Sequence, residues 1–239
     1  MHFLRALFHP DHHGTIRDAE CLTRRKDTEL LGQAFANSYV FFSHFALAED
    51  SRMLSTISLA TALLRGMAIQ AKDGQRSIDA VIPIHMGGTN TPIMPKTTSA
   101  INLQIKNRKG LSGCDVDRSI TVPAAEMPVI SIVFELGVTG KKAGAVVVSE
   151  KVPPETRNSG NLHINDHHYK IVASGCSPMV FAPVTAKTEP QYKAILGAMT
   201  VLEDFHRCDM ENNIGALQAM RPAFSGERQD RAYAGKFPS

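Results

Sequence analysis

The spacing of apolar residues changes character along this chain, and each change marks an element. In DTELLGQAFANSYVFFSHFALAED, Leu30, Leu31, Ala34, Phe35, Phe41, Phe42 and Phe45 recur at near-helical spacing. Positions three and four apart share one side of a helix, so this stretch predicts a helix, with Asp27 or Thr28 as its cap. MLSTISLATALLRG predicts a second helix, capped by Asp50 or Ser51 and closed by Gly66. After Gly66 the period drops to two. MAIQAK reads as a strand, DGQ as a turn with a hairpin signal at Asp73-Gly74, and SIDAVIPIHM as the next strand. There Ile78, Ala80, Ile82 and Ile84 share one face, with Asp79, Val81, Pro83 and His85 on the other. Pro83 has no N–H to donate, which predicts an edge strand or incomplete pairing at that point.

GGTNTPIMPKTT is a loop by composition. SAINLQIKNRK is the third strand, with Ile101, Leu103 and Ile105 pointing away from Asn102, Gln104 and Lys106. MPVISIVFELGV, AGAVVVSEKV, HHYKIVASG and PMVFAPV add β structure through their β-branched runs, and EPQYKAILGAMTVLEDFHRCDM returns to helical spacing. Residues 1–26, polar and basic, read as a loose leader, and 222–239 as a poorly ordered tail. The pattern predicts a mixed α/β fold, with a central mixed β-sheet flanked by helices, in a single domain at 27–221.

Composition narrows the function classes. Hydrophobic residues at 43% supply a real core, and a formal charge of +3 is too small to announce a nucleic-acid binder by itself. Cys21, Cys114, Cys176 and Cys208 are widely spread without CxxC spacing, which argues against a zinc module and a secreted disulfide scaffold. His9 and Pro10 interrupt the short apolar run of MHFLRALFHP, so it does not read as a signal peptide. No run approaches the roughly 20 apolar residues of a membrane helix. The expectation is a soluble intracellular protein, cytoplasmic or nuclear, with no membrane partner.

The strand–loop–strand unit from Ile78 to Lys109 carries the candidate chemistry. Paired side by side, its strands present Asp79, Gln104 and Lys106 on one polar face, about 4.8 Å apart across the sheet. A carboxylate and an amide carbonyl suit a hard divalent cation such as magnesium. A nearby lysine can orient a water or stabilise charge on a phosphate. An aspartate followed, after a loop, by Gln104-Ile105-Lys106 resembles the PD-(D/E)XK nuclease superfamily in its QxK form. LLRGMAIQ, IDAVIPI and SAINLQIKNR are also similar to a group of fungal proteins with this core, the likeness covering roughly residues 27–136. The resemblance implies a restriction-endonuclease-like core and a magnesium- or manganese-dependent phosphodiesterase, with DNA favoured over RNA as substrate. Asp79 and Gln104 would bind the metal and Lys106 would position water. The Gln replaces the more usual Glu, so a second acid is wanted; Glu49 is the first candidate, with Asp50, Glu29 and Asp73 as alternatives.

Blander readings stand beside these. Asp79 reads equally as a strand-end carboxylate bonded near the Asp73–Gln75 turn, and Gln104 and Lys106 as the wet face of an amphipathic strand. Lys106, Arg108 and Lys109 can follow a phosphate backbone or simply end a strand. His12 and His13 in the leader, and His163, His167 and His168 in a polar loop, lack metal-site spacing. His44 and the Phe41–Phe42–Phe45 cluster read as helix packing. Two rivals follow: a catalytically inactive nuclease-fold module that binds nucleic acid or a partner, and a Cys-dependent hydrolase using Cys176 with a loop histidine.

Overall fold

The computed structural model describes residues 1–22, 29–72, 75, 77–107, 116–123, 127–140, 143–148 and 167–197. Among these, eight strands form one mixed sheet. They are β1 (Ser38–Val40), β2 (His44–Leu47), β3 (Met67–Gln70), β4 (Ala80–Met86), β5 (Thr98–Lys106), β6 (Val129–Glu135), β7 (Ala145–Val148) and β8 (His168–Ser174). The order is β2-β3-β4-β5-β6-β8-β7, with β1 also paired to β4. β4 runs antiparallel to β3 and β5, whereas β5, β6 and β8 are mutually parallel. The mixed α/β expectation is met, and β3, β4 and β5 form where the period of two places them.

Helices cover both faces. On one, Ile82, Ile84, Ile101, Leu103, Ile130, Ile132, Tyr169 and Ile171 pack with residues of α1 (His2–Leu7), α2 (His13–Arg17) and α3 (Leu31–Ala34). On the other, Ile69, Val81, Val129 and Val133 pack under α4 (Thr56–Leu64) through Leu59 and Ala62. Gly66, at φ +63°, ends that helix as its position in the sequence predicts. Each fully buried Leu or Ile contributes roughly 1.5–3 kcal/mol.

Pro83 finds its place through a gap. Below it β3 pairs with Ala80 and Val81; above it β1 pairs with Ile84, His85 and Met86. The missing N–H falls where pairing passes from one neighbour to the other.

Three expectations need correction. The leader is not loose: Leu4, Phe8, Ile16, Ala19 and Cys21 are buried in the first core. Its histidines serve the backbone, His12 Nε2 donating to the Met179 carbonyl at 2.8 Å and His13 Nε2 to that of Phe8 at 2.9 Å. The stretch expected to be one long helix holds only the single turn of α3, followed by β1 and β2. Aromatic and β-branched residues at 39–42 favour extended backbone. As a result Phe41 and Phe45 are 67% and 53% exposed, Phe45 set edge-on to Phe42, and His44 lies in an exposed strand. PMVFAPV contributes one bridge, Phe181 to Phe8, and no strand.

The chain divides into compact units at Met1–Pro190 and Gln191–Ser239, so the first unit takes in the leader and ends before 221. In the second unit the described residues, 191–197, are helical as expected. Asp27, Thr28, Asp73, Gly74, Cys114, His163, Cys208 and the tail lie outside the described residues. Among those described, no helix is long and apolar enough to cross a membrane.

A buried arginine anchors the segment between β5 and β6. Arg118 is only 5% exposed, and its guanidinium donates to the carbonyls of Val122 (3.1 Å), Met127 (2.7 Å) and His167 (3.1 Å). Beside it, His168 Nε2 is hydrogen-bonded to Ser131 Oγ at 2.7 Å, and the His168 amide donates to Cys21 Sγ. Burial, helped by the charges of Arg118 and Lys170 and opposed by Asp117, pulls the His168 imidazole from 6.5 down to about 3.

Arg118→Met takes this donor from all three carbonyls, of which that of His167 keeps the Val129 amide, and the unfolding free energy in urea should fall by about 2–4 kcal/mol. An unchanged value would remove Arg118 from the architecture. Between pH 6.5 and 3 the unfolded chain binds a proton at His168 that the folded chain excludes. Stability from this site is therefore complete above pH 6.5 and lost as pH falls. His168→Gln should flatten the decline in urea midpoint between pH 7.5 and 4.5; a parallel decline would assign it to other groups.

Candidate active site

β5 has nine residues and neighbours on both sides, so its alternating side chains are forced onto two covered faces. Ile101 and Leu103 enter the first core and Ala100 the second, which puts Asn102, Gln104 and Lys106 on the α4 side of the sheet. On β4 the alternation places Val81 there, but it breaks just before the strand: Ile78, expected on the face of Ala80, Ile82 and Ile84, packs with Val81 in the second core, and Asp79 lies in the bend between Ile78 and Ala80. The paired register ends at Ala80 and Leu103, and Asp79 and Gln104 are the next residues beyond it on each chain segment. The expected pair thus meets at one end of the β4–β5 ladder, with Gln104 on the α4 face and Asp79 just outside the first residue of β4.

The ladder ends in an unusual way. The Asp79 amide donates to the Leu103 carbonyl at 2.8 Å, after which the chain turns off through Ser77, a non-glycine residue at φ +67°. Asp79 Oδ2 then accepts the Ile105 amide at 2.5 Å, where a backbone carbonyl would otherwise serve. Asp79 is thus a strand-end carboxylate, as one expectation has it, with its bond reaching β5. Oδ1 faces no such demand from the ladder.

Gln104 is 7% exposed, and its Oε1 has no hydrogen-bond partner among the described residues. An amide oxygen buried in this way carries a cost of about 1–3 kcal/mol, which a hydrogen-bond donor or a cation beside it would relieve. It is not the wet strand face of the bland reading. Lys106 is half-buried, two residues and about 7 Å further along the same face. Arg108 and Lys109, the rest of the basic run, lie outside the described residues.

The second-acid candidates fare differently. Glu49 is exposed, just after the residue that pairs with the end of β3, two strand spacings or about 10 Å from β4. Asp50 caps the turn at Ser51–Leu54 and pairs with Arg52 at 3.0 Å; that side-chain bond lowers its pKa to about 2. The Glu29 carbonyl accepts the Tyr169 hydroxyl at 2.6 Å, and Tyr169 belongs to the core on the opposite face. None of the three joins Asp79 and Gln104.

Glu135, which the strand pattern concealed, lies in register with Lys106 at the end of β6. Its parity with Val129 and Val133 turns it to the α4 side, and it is 1% exposed. The available signal was a charged residue closing an otherwise apolar strand. Cys176 packs against the first core, and His168, placed in a loop by the sequence, opens β8 and bonds to Ser131. Among the described residues, no three His, Cys, Asp or Glu side chains gather as metal ligands. Any cation here would rely on the Gln104 carbonyl, whose orphaned oxygen fits that use. No family model, curated protein or solved structure matches this chain.

Asp79→Asn keeps an oxygen for the Ile105 amide, whereas Asp79→Ala removes it. Thermal and urea unfolding should show Asn close to wild type and Ala lower by about 1–3 kcal/mol. Equal losses in both variants would show that the charge, not the hydrogen bond, holds the strand end.

Proposed function

We propose that this chain carries a cation-dependent phosphodiesterase site on a sheet resembling the PD-(D/E)XK nuclease core, with DNA as favoured substrate and RNA second. The observation that carries the reading is the buried Gln104 carbonyl, without a hydrogen-bond partner among the described residues, next in the chain to Ile105, whose amide holds the Asp79 carboxylate. The position also suits ligand binding, because open α/β sheets take ligands outside the carboxyl ends of their strands. Here Gln104 and Lys106 end β5, and Asp79 meets them from the start of β4.

Magnesium or manganese, when bound, supplies Lewis-acid polarisation of a phosphoryl oxygen. Asp79 Oδ1 and Gln104 Oε1 would hold that ion, with Asp79 oriented by its bond to Ile105. Lys106, half-buried at the mouth of the group, would orient a water and offset charge on the phosphate. A second reading is a nuclease-fold module that binds nucleic acid without cutting it. It is favoured by the neutral Gln104 and by the commitment of one Asp79 oxygen to the backbone.

Purified protein incubated with plasmid and single-stranded DNA in magnesium or manganese separates the two. The nuclease reading expects cleavage that chelation stops and that Asp79→Asn and Lys106→Ala each reduce by about 100-fold or more. DNA binding without cleavage, undisturbed by Asp79→Asn, would replace it with the binding module.

A further inference from the structure

Resting on that phosphodiesterase reading, we infer that Glu135 supplies the second carboxylate of the cation site. Three strands bring its members together: Asp79 before β4, Gln104 on β5 and Glu135 closing β6. Gln104 is paired with Val133, so Glu135 is its diagonal neighbour on the same face, a separation long side chains span. The orphaned Gln104 Oε1 thus has one acid on each side in strand order.

The end of β6 is held firmly. The Leu136 amide donates to the Lys106 carbonyl at 2.8 Å, and the Glu135 carbonyl accepts the Gly175 amide at 2.9 Å. Gly175 has φ +85°, and a Cβ there would lie 2.9 Å from Ala143 Cβ and 3.1 Å from the Val138 carbonyl. Only glycine lets this turn come so close, and the closeness fixes where Glu135 begins.

Charge matching completes the case. Asp79 alone gives a divalent ion one negative ligand, and Gln104 gives none. Adding Glu135 makes two carboxylates for a doubly charged ion, leaving Lys106 to match the single charge of a phosphodiester.

Manganese binding to the full chain, measured without DNA by electron paramagnetic resonance and titration calorimetry, tests the assignment. Glu135→Gln and Asp79→Asn should each weaken binding at least about 10-fold. Gln104→Glu, added to Glu135→Gln, should restore it, which a merely structural role for Glu135 would not produce. Unfolding in chelator checks that each variant folds, and Glu135→Asp replaces Glu135→Gln if that variant does not, with weakened binding again expected. Wild-type affinity in the Glu135 variant beside loss in Asp79→Asn overturns this inference and leaves the parent reading standing. Loss that Gln104→Glu fails to rescue also overturns it. A wild-type chain that neither binds manganese nor cleaves DNA overturns both.

Discussion

The two-residue alternation of β5 governs both the core and the candidate site. This strand joins the antiparallel half of the sheet to the parallel half and is covered on both faces. A one-residue slip would send Ile101 and Leu103 under α4 and turn Asn102 and Gln104 into the first core. Burial of those leucine and isoleucine side chains therefore also sets the direction of the polar ones. Asn102 finds the Thr121 hydroxyl at 3.0 Å, which ties the segment after β5 back to the strand. Gln104 has no such hydrogen-bond partner among the described residues. The two amides differ in which atom is left over: Asn102 keeps its oxygen bonded and its Nδ2 without a partner among the described residues, whereas in Gln104 it is the oxygen.

Asp79 couples the site to the fold more directly. By taking the Ile105 amide, its carboxylate finishes the β4–β5 ladder after the chain has turned off at Ser77. The residue proposed to hold a cation is thereby oriented by the backbone of Gln104's own neighbour. Such double use gives a rigid ligand, and it leaves fewer of its lone pairs for an ion.

The strands are legible in the sequence because β-branched and polar residues alternate in them, and α4 because Leu59, Ala62 and Leu63 recur at helical spacing ahead of Gly66. That alternation sets Asn102 and Gln104 on one face of β5, whereas Ile78 departs from it at the bend before β4. Other features depend on distant partners. Leu4, Phe8 and Ile16 are core residues only because β8 and the segment around Phe181 return to meet them. The run from Leu30 to Phe45 carries apolar residues at helical spacing, yet its aromatic centre takes extended form as β1 beside β4. Glu135 stays hidden in the sequence because parallel pairing, which local pattern does not report, puts it next to Lys106.

The closing of the first core by the opening residues bears on how the chain folds as it is made. His12 reaches Met179 across 167 positions, and Cys21 meets His168 across 147. The segment that leaves the ribosome early must wait for those partners before its helices have a floor to lie on. Until then one apolar face of β4, β5 and β6 stands open, the state in which chaperone capture and misassembly compete with folding. Synthesis of the first unit is thus sealed at its end by its beginning.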